Sequence, residues 1–150
     1  MADVFTVSER SRVMSLIRSR GNRSTELRLI EIMRAAGMTG WRRGSRLPGR
    51  PDFVFRRERA AVFVDGCFWH GCPKCSQRVR TNGRFWREKI ARNRQRDVSV
   101  SRCLRSLGWS VVRIREHEIR KKAAELPLRL LRVLSARRRS LDGGIGHQSL

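Results

Sequence analysis

Acidic residues are scarce in this 150-residue chain: 13 Asp and Glu stand against 35 Lys and Arg, for a formal net charge of +22. Lysine is scarcer still, because 31 of those 35 cations are Arg. A surface this cationic repels itself unless a polyanion shares it, so DNA or RNA is the expected class of partner. A basic structural protein of a ribonucleoprotein fits the same totals. Arginine rather than lysine suits bidentate contact with phosphate or guanine. No run of about 18 apolar residues occurs, which excludes the ordinary membrane-spanning helix. The first residues lack the apolar core of a signal peptide, and an intracellular protein is expected. Only four cysteines are present, and in a reducing compartment they read as metal ligands or buried thiols rather than disulfides. No internal repeat divides the chain, and its length suits one domain with its own core.

Most of the chemical information lies between Leu47 and Cys75. Two apolar runs, Phe53–Phe55 and Ala61–Val64, flank Arg56–Arg59, the pattern of a hairpin of short strands. Asp52 opens the first strand and Asp65 closes the second, so pairing can bring the two carboxylates together. Before them runs a loop with four Arg, two Gly and two Pro; Arg46 and Arg50 in it are candidate DNA contacts. Elsewhere the spacing predicts a short helix over 10–20, a helix from Thr25 to Ala36 ended by Gly37, and a short strand at Trp41. A long basic helix is expected from Phe85 through Asp97 towards Leu107, with Phe85, Ile90, Val98, Leu104 and Leu107 facing inward and Cys103 among them as a core thiol. A strand over Trp109–Ile114 and a helix over Leu126–Val133 follow. Helices before, between and after a few strands predict an α/β sandwich. Residues 1–136 read as one domain and 137–150 as a basic, glycine-rich tail.

Cys67, Cys72 and Cys75 follow a C-x4-C-x2-C spacing, and Cys72-Pro-Lys-Cys75 is a tight metal knuckle. Tetrahedral Zn²⁺ needs a fourth ligand. His117, beyond the last strand, is the first candidate and His70 competes with it. A second metal chemistry is expected at the carboxylates, since phosphodiester hydrolysis calls for charge on the phosphate and a deprotonated water. Mg²⁺ held by Asp52 and the Val64 carbonyl, with Asp65 as a second ligand or water orienter, supplies the first. The imidazole of His70 suits a general base, and Glu26 can position it. Blander readings compete: Asp52 as a turn residue paired with Arg50, Asp65 as an Asx turn before Gly66, Glu26 as a carboxylate at a helix N-terminus. Phe68 and Trp69, adjacent in the same segment, suit stacking on bases more than joint burial. For Met14 and Trp86 core packing competes equally with that role.

The motifs L-P-G-R-P-D-F (Leu47–Phe53), D-G-C-F-W-H (Asp65–His70), F-W-x-x-K-I-x-x-N-x-x-R-D (Phe85–Asp97) and L-x-x-x-G-W (Leu104–Trp109) occur in an order that resembles the very-short-patch repair endonucleases, the Vsr family. The resemblance runs from about residue 8 to residue 120. It implies a restriction-endonuclease-like fold, a mixed central sheet flanked by helices with a structural zinc site, and nicking of duplex DNA 5′ to the thymine of a T:G mismatch. Asp52 matches the Mg²⁺-binding aspartate, Val64 the position whose carbonyl assists, His70 the active-site histidine and Glu26 the glutamate beside it. Cys67, Cys72, Cys75 and His117 fall at or beside zinc-ligand positions. Phe68, Trp69 and Trp86 resemble the aromatics inserted beside the mismatch, Met14 the residue entering from the minor groove, and Lys89 and Asn93 positions near the mismatch. Two departures stand out. Asp65 occupies the place of a second active-site histidine, and the zinc set is reshuffled, with Cys72 where His is usual and His117 where Cys is. The resemblance further implies a monomeric, cytoplasmic, nucleoid-associated prokaryotic enzyme without membrane contact that works with DNA repair proteins. Two alternatives belong to other classes: a restriction or defence nuclease without mismatch preference, and a non-catalytic zinc-containing DNA-binding module.

Overall fold

The computed structural model describes residues 23–66 and 83–143. The first element, α1 (Arg23–Ala35), precedes a short strand β1 (Trp41–Arg42) and the hairpin β2 (Phe53–Phe55) and β3 (Ala60–Asp65). A 24-residue helix, α2 (Gly83–Ser106), leads to β4 (Ser110–Arg115), and α3 (Glu116–Lys121) and α4 (Leu126–Gly143) complete the described chain. The sheet order is β1-β2-β3-β4, antiparallel at the first two pairings and parallel at the third. A mixed sheet with helices on both faces has the restriction-endonuclease-like topology that the sequence motifs imply. The helix over 10–20 expected from spacing lies outside the described residues.

Strand periodicity divides the core in two, because successive side chains point to opposite faces. Phe53, Phe55, Ala60, Val62, Val112 and Ile114 pack with α1, α3 and α4 through Leu29, Met33, Ile119 and Leu130. Val54, Ala61 and Phe63 point the other way, onto Leu104 of α2, with Leu47, Val100, Trp109 and Val111 around them. Every residue of β2 is buried, so its sequence is apolar throughout rather than alternating. The turn after it is closed by Arg59 at φ 51, and the Arg59 carbonyl accepts the Ser110 N–H at 2.8 Å, tying the hairpin to the start of β4.

Helix α2 is where the inward face predicted from apolar spacing is out of phase. Leu104 is fully buried, but Phe85, Val98 and Leu107 are about half exposed and Cys103 lies at the surface. The stripe that meets the sheet is Asp97, Val100, Ser101 and Leu104, at the i, i+3, i+4, i+7 spacing of one helix face. Two of its four members are polar and bind Arg113, so a search for apolar periodicity settles on the wrong phase. At the N-terminal end Trp86 is buried and Phe85 exposed, the reverse of an inward Phe85.

Helix α4 also runs further than its apolar pattern. Residues 137–143, read from composition as tail, are its last turns. Arg137 Nε donates to the Glu58 carbonyl at 3.1 Å, Arg137 also donates to the Gly108 carbonyl, and Arg138 pairs with the buried Glu58 carboxylate at 2.7 Å. These contacts, to the β2–β3 turn and to the turn before β4, hold polar helix turns that have no apolar face of their own.

Candidate active site

Three carboxylates collect near the end of the β2–β3 hairpin. Asp52 reaches it from the residue before β2, Asp65 from the last residue of β3, and Glu26 from the first turn of α1. The Val64 N–H donates to Asp52 Oδ2 at 2.7 Å, so the strand that carries Asp65 also fixes Asp52. Glu26 is buried and lies within hydrogen-bonding reach of Asp52. Its other partner is Arg43, whose Nη2 sits 2.6 Å from Glu26 Oε2 while the guanidinium lies 5.9 Å from the Phe53 ring centroid. Asp65 receives Arg113 Nη1 on both oxygens, at 3.0 and 3.2 Å.

Each of the outer two carboxylates therefore has an arginine, and among the described residues Asp52 has none. Burial is the main reason its carboxyl is pushed up from 3.8 to about 7, with Glu26 and then Asp65 adding to the rise and the Val64 N–H opposing it. A carboxylate left without a cation in a semi-enclosed acidic site is a natural ligand for a hard divalent cation, which takes oxygen donors. Among the described residues no group of three or more His, Cys, Asp or Glu converges to hold a metal. The donor set fits Mg²⁺ all the same, since that ion is commonly held by one or two carboxylates and keeps several waters.

The approach to Asp52 is built with unusual backbone. Gly49 at φ +75 and Arg50 at φ 49 are consecutive left-handed residues just before Pro51. A Cβ at Gly49 would run into the Val100 side chain of α2, so the arginine-rich loop is seated directly on that helix. Non-glycine residues in this region are strained and collect where a side chain must be aimed. Arg46 and Arg50 are both exposed.

The family model described as "DNA mismatch endonuclease Vsr" matches residues 2–77. The DNA mismatch endonuclease Vsr of Escherichia coli K12 is 37% identical over 121 residues, covering 80% of this chain and 77% of that protein. The chain belongs to the Vsr family. A nicking enzyme of Neisseria meningitidis serogroup C, V.NmeDIP, is 36% identical over 121 residues, 79% of this chain and 81% of its own. The type II nicking enzyme V.NaeI of Lentzea aerocolonigenes is 44% identical over 77 residues, 51% of this chain but 46% of that relative's length. Vsr membership makes the chain a nucleolytic enzyme, a phosphodiester hydrolase.

Not all of the site residues expected of a Vsr-family protein converge. Glu26, Asp52, Val64 and Asp65 are brought together as described. Met14, Cys67, Phe68, Trp69, His70, Cys72 and Cys75 lie outside the described residues. His117 is buried in the first turn of α3, two residues beyond Arg115, the register partner of Asp65. It thus sits at the same sheet end as Asp65 and Gly66. Trp86 packs edge-on against Phe85, and the Lys89 ammonium lies 5.8 and 5.9 Å from the two ring centroids. The two arginines that neutralise the site, Arg43 and Arg113, escaped the sequence reading. The only signal for Arg113 is a charge inside the apolar run S-V-V-R-I-R, and it becomes legible once the register with Phe63 is known.

Proposed function

We propose that the chain nicks one strand of duplex DNA 5′ to the thymine of a T:G mismatch, using Mg²⁺ at Asp52 and a structural Zn²⁺. The observation that supports this most is Asp52, largely buried between Glu26 and Asp65 and without a cationic partner among the described residues, in a chain of the Vsr family. Asp52 and the Val64 carbonyl would hold Mg²⁺, which when bound draws charge from the scissile phosphate and lowers the pKa of water. Glu26, fixed by Arg43, orients the neighbouring groups. His70 takes the proton of the attacking water as general base. Arg46 and Arg50 bind backbone phosphates and set the register of the duplex. Phe68 and Trp69 stack into the mismatch from the major groove, and Met14 enters from the minor groove. On α2, Trp86 supports that wedge from a buried position, with Lys89 and Asn93 near the flanking bases. Cys67, Cys72, Cys75 and His117 hold Zn²⁺; the placement of His117 beyond β4 suits that role, and thiolates with one imidazole are an ordinary zinc set.

The test is a denaturing gel of end-labelled duplexes carrying each mismatch in varied contexts, with Mg²⁺. One nick 5′ to the T of T:G, lost in Asp52→Ala with DNA binding retained, is the expected result. Several relatives are named nicking enzymes rather than mismatch endonucleases. Equal cutting of matched duplex would place this chain with a restriction or defence role instead. Binding without cutting under any Mg²⁺ or Mn²⁺ condition would leave a DNA-binding module.

A further inference from the structure

Arg113 makes more contacts around the site than any one role in the proposed reaction requires. It stands on β4 opposite Phe63 of the parallel strand β3, and its guanidinium stacks 4.4 Å from that ring's centroid. Two residues on along β3, on the same face, is Asp65, which it grips with Nη1. The other edge of the guanidinium faces α2: Nε lies 3.3 Å from Ser101 Oγ, Nη2 donates to the Asp97 carbonyl at 3.3 Å, and Nη1 is 3.5 Å from the Asp97 carboxylate. Arg113 and both carboxylates are largely buried, so these contacts are far less screened by water than a surface pair.

We infer that Arg113 takes Asp65 out of the metal-ligating set and turns it into a strut that binds β3 and β4 to α2, leaving a one-aspartate centre at Asp52. This deepens the proposed function and rests on Asp52 being the metal ligand. An aspartate at the place of a histidine looks in sequence like a return to a two-carboxylate nuclease site. In the structure the positive charge for that second carboxylate is already supplied by protein. The same guanidinium joins the acidic site to the helix that carries Trp86, Lys89 and Asn93, so Arg113 is a positioning residue for both.

The sign of the effect separates this from simple ligation. Binding of Mn²⁺ to the full-length, DNA-free protein is measured by calorimetry, and nicking by kcat and KM on a T:G duplex. Asp52→Asn is expected to weaken Mn²⁺ binding by more than about 100-fold, beyond the usual effect of losing a group outside the ligand set, whereas Asp65→Asn weakens it far less because Arg113 already balances the Asp65 charge. Arg113→Met keeps the packing on Phe63 and releases Asp65. It is expected to tighten Mn²⁺ binding several-fold while lowering kcat more than it raises KM, and Asp65→Asn in the same chain should return the Mn²⁺ affinity to normal. Asp97→Asn leaves the grip on Asp65 intact; Mn²⁺ affinity should hold and kcat should fall modestly. It serves as the second variant if Arg113→Met does not fold. Loss of Mn²⁺ binding in Asp65→Asn comparable to that in Asp52→Asn, or weaker binding in Arg113→Met, overturns the inference. A wild type that binds Mn²⁺ with this pattern yet nicks no duplex overturns the function and leaves the strut standing; a wild type that binds no Mn²⁺ overturns both.

Discussion

The two faces of the sheet are built to different standards. On the α1, α3 and α4 side, residues from β2, β3 and β4 interlock with three helices in one continuous apolar cluster. On the α2 side the described cluster is Val54, Ala61, Phe63 and Leu104, and much of the remaining contact is the polar assembly of Arg113, Asp65, Asp97 and Ser101. Cores stabilise by area and close packing, whereas polar networks define one geometry and lose heavily when a member is removed. The first face holds the molecule together, and the second aims a long basic helix and an arginine-rich loop at the acidic site.

The sharpest way to break that division is at Asp52. Asp52→Asn should reduce nicking by about 10²–10³-fold, the range for removing a group that stabilises charge in a transition state, with little loss of fold. A gel assay alongside thermal melting checks both. An equal fall in melting temperature and activity would erase the distinction between the faces.

On the apolar side, Phe53→Ala or Leu29→Ala should cost about 3–5 kcal/mol in denaturant titration, since both side chains are fully enclosed. The polar side should answer to pH. Asp52 has its carboxyl raised to about 7 chiefly by burial, so the folded chain binds a proton that the unfolded chain releases near 4. Its contribution to stability is then complete below about pH 4 and is lost as pH rises through about 7, on the order of 4 kcal/mol for the metal-free protein. Melting curves from pH 4 to 8 should show that decline, and Asp52→Asn should flatten it. Added Mg²⁺ should restore stability at the alkaline end by mass action on the ionised carboxylate.

Gly49→Ala is the next effect in size. Its φ of +75 and the Val100 side chain against it predict a loss of about 1–2 kcal/mol together with weakened nicking. Val100→Ala in the same chain should recover the steric part only. At the small end, Val98→Ala on the exposed side of α2 should change stability by no more than about 0.5 kcal/mol. A larger loss would return Val98 to the inward face predicted for it by apolar spacing.

How far the chain could be read in advance follows from the range of the interactions involved. The hairpin was visible because Phe53–Phe55 and Ala60–Asp65 are short apolar runs separated by a polar turn, a signal contained within 13 residues. Helix α2 was legible in extent and illegible in phase, since its inward Asp97 and Ser101 owe their position to an arginine on β4. The last turns of α4 read as tail because Arg137 and Arg138 answer to Glu58, some 80 positions away. At the site, Asp52, Asp65 and Glu26 carried their own signals, in a rigid R-P-D element, a strand end and a first helical turn. Their arginine partners did not.

By itself, the order of residues determined the family, the cationic character and the identity of the acidic groups, because motif, composition and strand alternation are local properties of the chain. Which carboxylate takes up an arginine from β4, and which helix the site is fastened to, was decided only when β4 came to lie parallel to β3 with Arg113 beside Phe63. Pairing of that kind depends on register between segments about 50 residues apart, and no local pattern encodes it.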